Sequence, residues 1–395
     1  MMDLTTQDVA RYRAEFPFLG QLTYFNNGSI APLSTRVQEA VRRGVEAQAM
    51  GTLGRSIWRS VIGPLRIKIA TLINADPQEI AIVRNTVEGI STIAAGVHWR
   101  EGDNVICNDL EFPANVYPWW NLKSRFGVET KMVPGREGRI LIDDIIAAVD
   151  ARTRLITISL VQFSNGYRAD IDRLGAFCRE RGIYLHVDGI QGVGPLRVDV
   201  KHSQIDFLAC GGHKWLLGPI GSGFLYLRKE LIPEIWSCEP GHLGVKQNIN
   251  RYRDYRLEFR ESGEKYEGGV HNYIGAFGLD ASLAMFHEVG PGRIAARVRE
   301  LTDHLCAGLV KRGARLMSHR GEGEKSGTVA FVSDRQSVHE LYHLFLDAGI
   351  YVTISESMIR VCPHYYNTHE EIDRLIGTLS GPPVISVAEN LASAT

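Results

Sequence analysis

Residues 154–188 read RLITISLVQFSNGYRADIDRLGAFCRERGIYLHVD and hold two apolar runs on either side of a helical pattern. The first run covers 154–161 and the second covers 183–188, and both have the length of a buried strand. Between them, residues 171–182 repeat apolar side chains at the spacing of one helix face. A strand, a helix and a second strand in this order predict a βαβ unit, whose two strands lie parallel in one sheet.

The same alternation of short apolar runs and helical patterns extends on both sides of this unit. A second helical stretch covers 86–97. Strands that read as near-continuous apolar runs are typical of a parallel sheet covered by helices on both faces. The sequence therefore predicts an α/β fold with a mostly parallel sheet in a large domain. The other runs of strand length lie at 79–83, 104–108, 129–133, 206–210 and 223–227.

The pattern changes after about residue 230. A long helical pattern covers roughly 272–312, and from residue 327 the chain gives strand, helix, strand, strand and helix, ending near Leu379. This order is typical of a small α+β domain. We therefore expect four regions. They are an N-terminal arm at 1–20, a large cofactor-binding domain at 21–270, a small C-terminal domain at 271–380 that includes the arm, and a tail at 381–395.

Composition excludes several classes of protein. The 395 residues are 44% hydrophobic and 23% charged, as in an ordinary globular protein, and the formal net charge of -1 favours neither nucleic acid nor anionic lipid. No run approaches the roughly 18 to 20 apolar residues of a membrane span, and the N-terminus lacks the apolar core of a signal peptide. The six cysteines form no C-x-x-C pair, so we expect reduced thiols, no metal site and a cytoplasmic protein.

A nucleotide site is the first alternative for an α/β sheet. No G-x-G-x-x-G opens a helix after a strand, and GEGEKSGT at 321–328 lacks the G-K-[ST] order of a phosphate-binding loop. One anion site remains, where IVRNTVEGIS at 82–91 passes from a strand directly into a helix. Asn85 and Thr86 stand at that junction, and the backbone N–H groups of a helix start bind phosphate.

Polar side chains follow two neighbouring predicted strands. Asp188 ends one apolar strand, and Gln191 comes three residues later. The next strand ends just before His213 and Lys214, within CGGHKWLLGPIGSGF at 210–224. Ligands gather at the carboxyl ends of the strands in an open α/β sheet, so we expect these side chains in one crevice.

This set of side chains points to pyridoxal 5′-phosphate. That cofactor needs a lysine for a Schiff base, an acid for its pyridinium nitrogen and a phosphate site. An apolar pocket lowers the pKa of the lysine, so that the amine can attack a carbonyl and later move protons as base and acid. The acid keeps the ring nitrogen protonated, which makes the ring an electron sink.

The motifs also carry a family resemblance, over about residues 20 to 380. The sequence resembles the class V aminotransferase group of fold-type I pyridoxal-phosphate enzymes, which includes cysteine desulfurases, kynureninases and isopenicillin-N-epimerase-like proteins. The resemblance implies an aspartate-aminotransferase-like fold and a homodimer with its active site at the subunit interface. The motifs that carry it are YFNNGSIAPLS (24–34), RNTVEGI (84–90), EFPANVYPW (111–119), HVDGIQ (186–191), GGHKW (211–215) and MIRVCPHYYNTHEEIDRL (358–375).

The resemblance implies a role for each matching residue. For the cofactor, Lys214 would form the Schiff base, Asp188 would contact the ring nitrogen, Gln191 the phenolic oxygen, Phe112 the ring face, and Asn85, Thr86 and His213 the phosphate. Gly269 would bind the phosphate of the neighbouring subunit. For the substrate, Arg360 would bind the α-carboxylate, with Asn27 and Gln162 beside the substrate.

Departures from the family pattern bear on the reaction. Cysteine desulfurases need a thiolate on a mobile loop, whereas here Cys362 follows Arg360 by two residues within a strand-like segment. Val270 stands where many relatives have the threonine that reaches the neighbouring subunit's phosphate. We therefore favour β-elimination by a carbon–heteroatom lyase, acting on an amino acid or a compound derived from one. The alternatives are a class V aminotransferase, then an epimerase or a cysteine desulfurase, and lastly a cofactor-binding sensor without activity.

Overall fold

The computed structural model describes residues 3–246, 253 and 255–379, so the predicted tail at 381–395 lies outside the described residues. The helices are α1 (Thr6–Arg13), α2 (Thr35–Ala49), α3 (Arg55–Arg59), α4 (Ile62–Ile73), α5 (Thr86–Gly96), α6 (Tyr117–Trp120), α7 (Leu122–Phe126), α8 (Ile142–Ala147), α9 (Ile171–Arg181), α10 (Tyr273–Val289), α11 (Pro291–Lys311), α12 (Val338–Asp347) and α13 (His369–Thr378). Short 3-10 helices cover Pro17–Gly20, Gly51–Gly54, Pro77–Glu79, Pro113–Asn115, Lys229–Leu231 and Gly263–Tyr266.

The strands form a large sheet, a smaller antiparallel sheet and a two-stranded ribbon. Their bounds are β1 (Thr23–Tyr24), β2 (Ile80–Val83), β3 (Asn104–Asn108), β4 (Glu129–Val133), β5 (Thr153–Ser159), β6 (Tyr184–Asp188), β7 (Phe207–Gly211), β8 (Gly223–Leu227), β9 (Ala314–Leu316), β10 (Val329–Ser333), β11 (Ile350–Tyr351), β12 (Thr353–Ser355) and β13 (Met358–Val361).

Within the described residues, the large sheet has seven strands in the order β2-β8-β7-β6-β5-β3-β4. Only β8 runs antiparallel to its neighbours. The pair β5 and β6 is in register from Leu155 opposite Tyr184 to Ser159 opposite Asp188. The predicted α/β fold with a mostly parallel sheet is therefore confirmed.

Except at the edge strand β4, the apolar runs that predicted the strands are buried on both faces of this sheet. On β5, Leu155 packs into one apolar cluster and its neighbour Ile156 into the cluster on the opposite face. Phe207 and Leu208 of β7 divide in the same way. Because successive side chains of a strand point to opposite faces, a sheet covered by helices on both sides needs apolar residues at every position.

One predicted strand is shorter than its apolar run. β5 ends at Ser159, although the run continues through Leu160 and Val161. Both residues remain buried, and the N–H of Leu160 still donates to the carbonyl of Asp188 at 3.0 Å, but the chain then turns back on itself. The N–H of Gln162 donates to the carbonyl of Tyr167 at 2.8 Å and closes this turn. Burial alone therefore kept the run apolar beyond the end of the strand.

The smaller sheet has the order β12-β13-β10-β9 and is antiparallel. It shares a third apolar cluster with the helices around it, which includes Leu301, Phe331, Phe345 and Leu375. Phe25 belongs to the same cluster, because β1 pairs in parallel with β11. The N-terminal segment thus joins the C-terminal sheet, while α10 packs against α2 and α4. The proposed boundaries at 20/21 and 270/271 stay predictions.

Among the described residues, no helix combines the length and the apolar character that crossing a membrane requires.

Candidate active site

A cavity of about 480 Å³ lies between the carboxyl ends of the large sheet and the hairpin of β12 and β13. It brings together most of the residues that the sequence predicted for the site. The predicted residues that line it are Asn85, Thr86, Phe112, Gln191, His213, Lys214 and Arg360. Its other lining residues are Gly28, Ser29, Val87, Ala114, Phe163, Ile190, Ile354, Ser355 and Glu356.

Two adjacent parallel strands deliver the central groups. β6 ends at Asp188, and its neighbour β7 ends at Gly211, just before His213 and Lys214. A tight turn follows, in which the N–H of Leu217 donates to the carbonyl of Lys214 at 3.0 Å. Strands that run in parallel end at the same edge of a sheet, so the amine lines the cavity and the acid lies beside it, next to the lining residue Ile190.

Lys214 occupies a setting that weakens its positive charge. Burial lowers the pKa of its ammonium group, and the nearby Arg360 lowers it further, while Asp188 acts in the opposite direction. The Lys214 Nζ lies 5.8 Å from the centre of the Phe112 ring. A lysine with a lowered pKa is neutral more of the time and is therefore a better nucleophile and proton acceptor.

Asp188 is a buried carboxylate whose charge is only partly balanced. Its Oδ1 accepts a hydrogen bond from the N–H of Ile190 at 2.9 Å. Burial raises the pKa of Asp188 to about 7, and the negative Glu111 adds to this effect, against Ile190 and Lys214. No cationic side chain of the described residues forms an ion pair with it. A protonated ring nitrogen would supply that missing cation.

The first turn of α5 forms an end of the cavity suited to an anion. Asn85 caps this helix, with its Oδ1 accepting from the N–H of Glu88 at 2.9 Å. The hydroxyl of Thr86 accepts from the N–H of Gly211 at 3.0 Å, so its own proton remains available to donate. Helix N-termini attract anions through their exposed N–H groups and the helix dipole. The donors at this end match the phosphate of the predicted cofactor.

Arg360 places a second unbalanced charge in the cavity. It lies on β13, is 7% exposed, and its Nη1 donates to the carbonyl of Phe163 at 2.6 Å. Its Nε is buried without a hydrogen-bond partner. Phe163 in turn packs edge-on against Phe112, with ring centres 5.2 Å apart. A buried guanidinium with unused donors is a natural partner for a carboxylate.

Four predicted site residues are not among those that line this cavity. Asp188 is one of them, and it lies beside the cavity, hydrogen-bonded to the lining residue Ile190. The amide of Asn27 is engaged on both sides, because its Nδ2 donates to the carbonyl of Cys362 at 2.8 Å and its Oδ1 accepts from Tyr366. Gln162 donates to Glu111 at 3.0 Å. Gly269 lines a separate cavity of about 340 Å³. Their roles toward cofactor or substrate stay predictions.

Glu111 is a central group that the sequence analysis did not single out. Its carboxylate accepts hydrogen bonds from Asn108, Asn115 and the N–H and hydroxyl of Ser159, besides Gln162. The network lies directly before Phe112 and fixes the backbone that presents this ring. An acidic residue inside the apolar stretch DLEFPANV was the available signal, since a buried acid needs partners.

Comparison with known proteins gives the same family that the motifs indicated. The family model "Aminotransferase class-V" matches residues 59–375. A probable cysteine desulfurase of Methanothermobacter thermautotrophicus is 30% identical, over 96% of this chain and 98% of that protein.

Two solved structures resemble the fold closely. A complex of the cystine C–S lyase C-DES with its reaction product cysteine persulfide has a TM-score of 0.86 and 24% identity, covering 93% of this chain and 100% of the other. The apo cysteine desulfurase of Thermococcus onnurineus NA1 has a TM-score of 0.84 and 23% identity, covering 100% of both chains. Together with the match over most of its length, these findings show that the chain belongs to the aminotransferase class-V family, within the fold-type I pyridoxal-phosphate enzymes.

Proposed function

We propose that this pyridoxal-phosphate-dependent enzyme cleaves the carbon–sulfur bond of a cysteine-type or cystine-type amino acid by β-elimination. When bound, the cofactor supplies an electron sink that makes the proton on the substrate Cα acidic. Among relatives, a cystine C–S lyase shares the fold, which supports a substrate with sulfur on Cβ. The residues in and beside the cavity would bind the cofactor, bind the substrate and transfer the proton.

The described side chains fit the cofactor. Lys214 would hold it covalently through Nζ, and Asp188 would pair with its ring nitrogen. The N-terminal turn of α5 and His213 would bind its phosphate, and Phe112 would cover the ring. This assignment is supported by the amine with a lowered pKa and the helix start, which both line one cavity, and by the buried carboxylate without an ion-pair partner beside it.

The substrate side of the reaction rests on two basic side chains, Arg360 and Lys214. Arg360 would bind the α-carboxylate and orient the Cα proton toward Lys214. The amine of Lys214 takes that proton, and the Cβ–S bond then breaks with its electron pair on sulfur. Sulfur leaves as hydrogen sulfide from cysteine or as cysteine persulfide from cystine. The three-carbon remainder takes up water and gives pyruvate and ammonia, so no oxidant or reductant is consumed.

The observation that carries this proposal is the position of the cysteines. All six lie in the described part of the chain, and none of them lines the cavity. Cys362, which follows Arg360, is fully buried at the end of β13, with its Sγ 3.4 Å from the Thr328 hydroxyl. Because this thiol is fully buried and does not line the cavity, it is poorly placed to accept sulfur from the substrate. Elimination needs no such thiol.

Replacing Cys362 by alanine is therefore expected to leave the rate of pyruvate formation from cystine within about twofold of the parent. The check is a steady-state assay of pyruvate release, with cofactor content measured on the same preparation. Cys306→Ala, at another buried cysteine, controls for loss of packing. A loss of about a hundredfold or more in Cys362→Ala alone, with full cofactor content, would give the thiol a catalytic role and contradict the proposal.

Cysteine desulfuration is the second candidate, favoured by the names of relatives such as the probable desulfurase of Methanothermobacter thermautotrophicus. It uses the same cavity but requires a thiol acceptor and releases alanine instead of pyruvate. Transamination and epimerisation would need the same cofactor and Lys214. Product analysis separates all four reactions.

We also propose that the enzyme is a homodimer. Large apolar side chains are exposed near the separate cavity that Gly269 lines, including Val270 at 72% and Ile220 at 67%. Leu53 is 82% exposed, beside the cavity that Val270 shares with α2 and α3. An apolar surface of this kind is typical of a protein–protein contact. A partner seated there would bring its own site close to Gly269.

A further inference from the structure

We propose that Trp215 is a positioning residue, which fixes the side-chain amide of Gln191 so that its NH2 group is the one offered to the cavity. Trp215 follows Lys214 directly, is 1% exposed and does not itself line the cavity. Gln191 lines the cavity and is 3% exposed. The inference depends on the cofactor and not on which bond of the substrate is broken.

Two hydrogen bonds fix the orientation of the amide. The indole Nε1–H of Trp215 donates to Gln191 Oε1 at 2.8 Å, and Gln191 Nε2 donates to the carbonyl of Gly28 at 2.9 Å. An indole N–H can only donate and a backbone carbonyl can only accept. Trp215 therefore requires the amide oxygen on its side and Gly28 requires the amide nitrogen, so both neighbours fix the same orientation, and a flipped amide would lose both bonds.

Trp215 is held rigidly from behind. Its backbone carbonyl accepts from His364 Nε2 at 3.0 Å, because Nδ1 of that ring accepts from the N–H of Tyr365 at 2.9 Å. A Cβ added at Gly327 would lie 2.7 Å from the far edge of the indole, so the ring already touches that backbone. The indole has no room to turn away from Gln191.

With the amide of Gln191 held in this orientation, its NH2 group can donate a hydrogen bond into the cavity. One proton of Gln191 Nε2 goes to Gly28, and the second is the one that we propose the cavity uses. Donation to an oxygen favours the charged form of that oxygen. The amide would therefore stabilise the phenolate of the lysine-bound cofactor and lower the pH at which its visible absorption band titrates.

The test is Trp215→Phe, which keeps an aromatic ring but removes the N–H. In the holoenzyme, the pKa of the visible band is expected to rise by about one unit, a tenfold change in proton affinity. Trp99→Phe is the control, since the indole N–H of Trp99 also donates a hydrogen bond, to the carbonyl of Ala94 at 2.7 Å, and neither residue lines the cavity or contacts the Glu111 network. The control should leave the pKa of the band unchanged.

A double-mutant cycle distinguishes positioning from a general loss of structure. Gln191→Leu alone should raise the pKa of the band, and adding Trp215→Phe to it should change nothing further. If the two shifts add, or if Trp215→Phe leaves the pKa unchanged, the inference is wrong.

A variant at Gln191 covers the case in which Trp215→Phe does not fold. In Gln191→Glu the side chain presents only acceptor oxygens to the phenolate of the cofactor. This variant should therefore raise the pKa of the band more than Gln191→Leu does. An equal or smaller rise in Gln191→Glu would overturn the inference. Failure of the proposed elimination reaction would leave these titrations unaffected, because they follow the cofactor and not a product.

Discussion

Lys214→Ala is expected to lower turnover by at least ~10⁴-fold, because one side chain both holds the cofactor and moves the Cα proton. General acid–base catalysis alone contributes roughly 10²–10⁴-fold. The variant should still bind pyridoxal phosphate, but reversibly, since Asp188 and the start of α5 remain. Its fold should be unaffected, because an alanine fits easily where a buried amine with a lowered pKa stood.

The measurement is borohydride treatment followed by mass analysis of the chain. Reduction should fix the cofactor permanently on the parent protein and leave Lys214→Ala unmodified. Lys214→Arg keeps a positive charge at the position and serves as the control, since it should be equally inactive. Cofactor fixed by borohydride to the alanine variant would show that another amine holds it.

Arg360→Ala is expected to lower kcat/KM by about 10²–10³-fold, with most of the loss in KM. A charge-assisted bond to a buried, otherwise unpaired guanidinium is worth several kcal/mol, and each 1.4 kcal/mol is tenfold. Cofactor content should not change, because Arg360 contacts the carbonyl of Phe163 and none of the groups assigned to the cofactor.

Steady-state kinetics with matched substrates check this prediction. Cysteamine lacks the α-carboxylate, so the parent enzyme should process it as poorly as Arg360→Ala processes cysteine, and the variant should no longer distinguish the two. Arg360→Lys should recover part of the lost kcat/KM, because lysine keeps the positive charge but cannot form the two parallel hydrogen bonds that a guanidinium makes with a carboxylate. An unchanged KM for cysteine in Arg360→Ala would remove Arg360 from the substrate site.

The large sheet could be predicted because its strands are covered on both faces. Burial on both sides forces continuous apolar runs, and the pair Leu155 and Ile156 shows this directly, one on each face. The main groups of the cavity could also be predicted, since Asp188 and Lys214 follow adjacent parallel strands. Their position depends only on strand order and direction, which the βαβ pattern supplies.

Contacts made by tertiary packing could not be predicted. The amide of Asn27 forms hydrogen bonds with Cys362 and Tyr366, which lie far along the chain, and no local sequence pattern predicts these bonds. Trp215 and Gln191 lie 24 positions apart and meet only through the turns after β6 and β7. The predicted end of β5 was too late in the sequence, because the residues after Ser159 are still buried and apolar although the strand has ended.

The proposed reaction is tested most directly by the products formed from cystine and from cysteine. The holoenzyme should release pyruvate and ammonia in equal amounts, with cysteine persulfide from cystine or sulfide from cysteine, and its cofactor should stay in the aldehyde form. Alanine in place of pyruvate would show desulfuration, the aminated cofactor would show transamination, and inverted amino acid would show epimerisation. Any of these as the main product would contradict β-elimination.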